Sequence, residues 1–156
     1  MQGIFVDMAN ELADLGKEVD LLSRAVAILE EGPSDDPAWT WLAVQGLASG
    51  IEKIYTGCER IMAMVATSVD GARVARDEGW HSALLKRMAH PFPGVRDRVI
   101  SETTYDMLDR LRSFRHRERN SYGLTLDAGI VVDRARETDA TFRRFRADVE
   151  AFAAGR

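Results

Sequence analysis

Between residues 110 and 127 the sequence reads RLRSFRHRERNSYGLTLD, which sets Arg110, Arg112, Arg115, Arg117 and Arg119 around one histidine, His116, with Asn120 and Tyr122 just beyond. Arginine offers planar, permanently charged donors that match phosphate oxygens. Histidine has an ordinary pKa near neutrality and so can carry a proton. Together they suit cleavage of RNA without a metal ion. A base removes the 2′-OH proton, the oxygen attacks the adjacent phosphorus, and arginine stabilises the charge that develops. No carboxylate pair with metal-ligand spacing accompanies them, so neither metal nor other cofactor is expected. The competing use of the same residues is a structural network of Arg and His with carboxylates.

These arginines stand in an acidic chain of 156 residues with a formal net charge of −4. Its first 36 residues hold acids such as Asp7, Glu11, Asp14, Glu18 and Glu30 against only Lys17 and Arg24. That end should repel nucleic acid, and an anion should bind near residues 110–119. The length fits one domain over residues 1–156. The single cysteine, Cys58, lies in an apolar helical pattern and is expected to be a buried, inert thiol. Acids at Asp7 and Glu11 interrupt any secretory apolar region, and no apolar run reaches membrane-spanning length. A soluble, cytoplasmic protein that does not enter a membrane is the expectation.

The elements that must position the arginines are helices. Met8, Leu12, Leu15, Val19, Leu22, Val26 and Leu29 recur at three and four residues and predict a first helix ended by Gly32 and Pro33. Ser34 or Asp35 can cap a second, with Pro37 in its first turn and Trp39, Leu42, Leu47, Ile51, Ile54, Cys58, Ile61 and Val65 along it. GWHSALLKRMA reads as a short third helix and HPFPGVRDR as an irregular connection. Ser101 caps a fourth helix with Gly123 as its terminator. Asp127 caps a fifth whose stripe runs from Ile130 and Val131 through Phe142 and Phe145 to Phe152. No alternating strand pattern appears. The predicted fold is an all-α, antiparallel bundle of four long helices plus a short one.

At about 100° per residue, Leu108, Arg112, Arg115 and Arg119 project from one side of the fourth helix. The apolar strip of its first half becomes guanidinium in its second half. A solvated basic face would lie opposite Leu108, so this cluster is expected to line a groove or a subunit interface. His81 reads as a residue of a helix start or packing corner, and His90 as a loop residue. Trp39 and Trp41 do not share a face, which leaves at least one exposed.

Arg115, His116, Asn120 and Tyr122 make the chain resemble the HEPN superfamily, and specifically the HepT-like ribonuclease toxins. Their motif is Arg, a polar residue, three further positions, His, any residue and Tyr. Here Arg115 and Tyr122 stand in the outer positions, His116 takes the polar position where Asn is common, and Asn120 stands where His is expected. The two are exchanged across one helical turn. The similarity in order and spacing extends upstream through IEKIYTGCERIMAMVATSVDG and RDRVISETTYDML, covering roughly residues 47 to 127.

The resemblance implies a HEPN-like homodimer in which motif helices of two subunits form one cleft, acting as an endoribonuclease toxin held in check by an MNT-type nucleotidyltransferase antitoxin. It implies Arg115 for transition-state stabilisation; by residue type and position, His116, one turn before Asn120, can be acid or base, Asn120 can orient phosphate or water, and Arg112 and Arg119 can contact phosphate or instead pair with Asp106, Asp109 or Glu118. It also implies Tyr122 as the residue that the antitoxin modifies with AMP, placing charge and bulk in the cleft. Asn120 cannot carry a proton. A weakened HEPN protein that binds RNA or nucleotide without cutting therefore stands beside the enzyme, as does a helical interaction module with no nucleic-acid role.

Overall fold

A computed structural model describes residues 2–32, 34–120 and 127–156, without the side chains of residues 2 and 117–120. Among them the chain forms five helices and no strand: α1 Gln2–Glu31, α2 Pro37–Ser68, α3 Trp80–Met88, α4 Glu102–Asn120 and α5 Ala128–Ala154. None is long and apolar enough to cross a membrane. The all-α bundle is thus as the periodicity predicts. The cap of α2 is not Ser34 or Asp35 but Asp36, whose carboxylate accepts the Ala38 N–H at 2.9 Å. Pro37 at the first helical position assigns the cap to the residue just before it. Ser101 and Asp127 cap α4 and α5, accepting from Thr104 N–H and Ile130 N–H. Pro33 and Gly123 lie outside the described residues.

α1 runs antiparallel to α2 and buries Met8, Leu12, Leu15, Val19, Leu22 and Val26. Its register on α2 is fixed by size. Leu15 sits over Gly57 and Leu22 over Gly50, each pair seven residues from the next along both helices. A Cβ at Gly57 would overlap Leu15, whose Cγ would stand at 3.0 Å. On the flank of this contact Lys53 meets Glu18 at 2.7 Å and Arg60 meets Glu11 at 2.9 Å. The acidic first helix is thus partly matched by its neighbour, though exposed pairs of this kind add little stability. Leu42 and Ile130, expected on the inner stripes, are instead exposed. Val44 and Val131 in the same opening turns are buried, so the stripes begin at those residues and Leu42 and Ile130 lie off them.

α5 packs on α1 and on α2, α4 lies against α2 and α5 without meeting α1, and α3 closes the gap between α2 and α4. Arg110 reaches Glu137 while Ser101 N–H reaches Asp148, so α4 and α5 are antiparallel. The connections at the α3 end are held by one buried ion pair. The Arg96 guanidinium donates to both Asp70 carboxylate oxygens, at 2.6 and 2.9 Å, and to the carbonyls of His90 and Asp97. That set of acceptors compensates its complete burial. Pro93 and Gly94, the latter at φ 76°, make the turn that presents Arg96.

Gly57→Ala should lower the unfolding free energy by about 1–3 kcal/mol in chemical denaturation, although alanine is the better helix former. Adding Leu15→Ala should cost less than the sum of the two single changes, because the overlap is then gone. Full additivity would contradict this register.

Candidate functional site

The three arginines of α4 whose side chains are described, Arg110, Arg112 and Arg115, do not form one patch. Arg110 points to α5, where it meets Glu137 at 3.3 Å. Arg112 is half-buried and folds back on Asp109, its Nε 2.8 Å from Oδ1. Arg115 turns inward. With Leu108 and Leu111 it continues the buried stripe of α4, and only 9% of it is exposed. Its Nε stands 3.8 Å from Glu52 Oε1 of α2 and makes no hydrogen bond among the described residues. His116, the next residue along, is exposed. Arg119 and Asn120 belong to the last turn of α4 with side chains outside the described residues, as is Tyr122 altogether. The expectation that the apolar strip gives way to guanidinium on the same side is met at Arg115.

Opposite α4, the face of α2 is polar where a bundle would normally be apolar. Glu52, Tyr55 and Glu59, three and four residues apart, share that side. Glu59 is only 3% exposed and is held by His81 at the start of α3, Nδ1 to Oε2 at 2.6 Å. Tyr55 is fully buried, and its hydroxyl makes no hydrogen bond within normal geometry among the described residues. Burial pushes that hydroxyl far above its ordinary pKa, the nearby Glu59 carboxylate adds to the rise, and Arg112 partly offsets it. A seam of ionisable groups therefore runs from His81 through Glu59, Tyr55 and Arg112 to Glu52 and Arg115.

Sequence reasoning assigned none of Glu52, Tyr55 and Glu59 to the site. The available signal was their spacing inside IEKIYTGCER, which places two carboxylates and a phenol on one helix face. His81 does stand at a helix start, as expected, and His90 in the following connection, its Nδ1 2.8 Å from the Lys86 carbonyl. Cys58 is buried, and burial followed by the charge of Glu59 raises its thiol pKa. Among the described residues no three His, Cys, Asp or Glu side chains could hold a metal ion.

The pattern of helices, with a basic motif on the inner face of α4, agrees with a family comparison. A family model described as HepT-like protein matches residues 46–155. The chain belongs to the HepT-like family. No curated protein and no solved structure matches it significantly. The HepT-like match takes in α3, α4, α5 and all but the opening turns of α2, so the whole polar seam lies inside it. α1 lies outside it, although its side chains complete the core.

The raised thiol pKa has a sign that can be checked. Cys58 favours the native state while neutral, and that contribution is full below about pH 8.5, the unfolded thiol pKa, and declines as pH rises above it. Urea midpoints should therefore fall more between pH 8 and pH 10 in wild type than in Cys58→Ala. Equal declines would mean that the thiol does not contribute.

Proposed function

We propose that this HepT-like chain is the toxin of a HEPN/MNT pair, a homodimeric endoribonuclease that cleaves RNA without a metal ion. The observation that carries the reading is Arg115. It is a permanent charge on the buried stripe of a helix, with its Nε unbonded and its carboxylate neighbour at 3.8 Å. A donor so placed is ready for a more closely approaching anionic oxygen, as a phosphate in transition supplies. In this reading Arg115 stabilises the pentacovalent phosphorus, and exposed His116 removes the 2′-OH proton or protonates the leaving oxygen. Asn120 orients phosphate or water, and Arg119 and Arg112 hold flanking phosphates. Binding by Arg112 then requires it to exchange Asp109 for the strand.

The second subunit completes the cleft, because a single inward helix end offers only one wall. An MNT-type nucleotidyltransferase serves as antitoxin in the cytoplasm, adding AMP to Tyr122 and thereby filling the cleft with charge and bulk. One observation favours a second reading, a HEPN protein that binds RNA without cutting: Arg115 is nine-tenths covered in the single chain, and Asn120 cannot carry the proton that the family's histidine would.

Light scattering of the purified chain should give a dimer at micromolar concentration; monomer throughout would remove the composite cleft. Expression without the antitoxin separates the two readings. If His116 is the proton carrier, wild type arrests growth and His116→Ala lowers cleavage by about 10²-fold or more, while Asn120→Ala keeps much of it. Arrest that persists in His116→Ala would remove His116 from that role. Arrest seen only in Asn120→His would mark wild type as the non-cleaving binder.

A further inference from the structure

Away from α4, the last turns of α2, the segment 69–79 and the start of α3 enclose a cavity of about 320 Å³. Its wall is apolar at Ala66, Val74 and Leu84, and two arginines, Arg73 and Arg76, line it with Trp80. The Arg76 guanidinium lies over the Trp80 ring, 3.7 Å from its centroid, which fixes the charge at the cavity wall. In this acid-rich chain many of the described arginines have a carboxylate, as Arg60 has Glu11, Arg110 has Glu137 and Arg146 has Glu150. Arg73 and Arg76 have none among the described residues. Asp70, the acid before them, is committed to Arg96 by two hydrogen bonds, and neither Asp77 nor Glu78, which follow Arg76, forms an ion pair with them among the described residues. Asp77 is engaged at the start of α3, where its Oδ1 accepts the Gly79 N–H at 3.0 Å.

We infer that this cavity is a nucleotide site: Arg73 and Arg76 take the phosphate, and the base lies against the Arg76–Trp80 stack and the wall formed by Val74 and Leu84. Two unpaired guanidinium groups select an anion with several acceptor oxygens, for which phosphate is well matched. The apolar wall and the stacked indole select a flat ring attached to it. Together these requirements describe one nucleoside 5′-phosphate. The same chemistry is presented by a free mononucleotide and by one unit of an RNA strand. The site is distinct from the Arg115 end of α4, since Glu52 and Ala63 are separated by about 16 Å along α2 at the usual helical rise.

Calorimetric titration of the full chain distinguishes the sources and does not require catalysis, so an inactive protein tests it equally well. The probes are AMP, GMP, adenosine, inorganic phosphate and a short 2′-O-methyl oligoribonucleotide that cannot be cleaved. Saturable binding of a mononucleotide assigns the site to free nucleotides; binding of the oligonucleotide alone assigns it to a strand. In either case Arg73→Ala and Arg76→Ala should weaken affinity by about tenfold or more, with circular dichroism confirming an unchanged fold. Arg144→Ala, which removes a charge from the exposed side of α5, should leave affinity within about twofold. Three results would overturn the assignment: no binding of either probe at millimolar concentration, phosphate binding as tightly as AMP, or affinities that ignore Arg73 and Arg76.

Discussion

A guanidinium cannot shed its charge, so an arginine on the buried stripe of a helix obliges its surroundings to supply negative oxygen. Arg115 imposes that constraint on the α2–α4 contact. The response is visible on α2, where Glu52, Tyr55 and Glu59 run beside the buried stripe of Ile51, Ile54, Cys58 and Ile61. Glu59 is in turn anchored by His81, which ties α3 into the same network. Each of these groups is less stable buried than in water unless its neighbours remain in place, so the seam favours one packing of α2, α3 and α4 over alternatives.

Helix α2 can carry this seam because its other sides are packed in a different way. Gly50 and Gly57 admit Leu22 and Leu15 of α1 at close range, and apolar contact with α5 accounts for the rest. The match to the HepT-like family starts at residue 46, after α1. Yet six buried side chains of α1 complete the core, so the matched segment and the helix before it form one hydrophobic unit. At the other end of α2, the Arg96–Asp70 pair holds the connections that place α3 and the beginning of α4.

Much of the fold was legible in the chain itself. The stripes of α1 and α2 and the caps Ser101 and Asp127 follow from periodicity and local hydrogen bonding, both properties of short segments. The inward direction of Arg115 was legible for the same reason, because it continues the register of Leu108. What escaped sequence reasoning depends on distance along the chain. Glu59 reads as one more acid in an acidic protein until His81, 22 residues later, is placed beside it. Asp70 and Arg96 are 26 residues apart and neither spacing nor composition pairs them. Leu42 and Ile130 misled because they are apolar yet stand off the stripe, which begins at Val44 and Val131.

The central claim is that Arg115 and its neighbours act on RNA phosphate without a metal ion. Its most direct test is to incubate purified wild type and Arg115→Ala with RNA in EDTA and determine the product ends. The account predicts cleavage by wild type with 2′,3′-cyclic phosphate termini, and a loss of about 10²-fold or more in the variant. Cleavage that stops on chelation and returns with magnesium, or that survives Arg115→Ala undiminished, would contradict it.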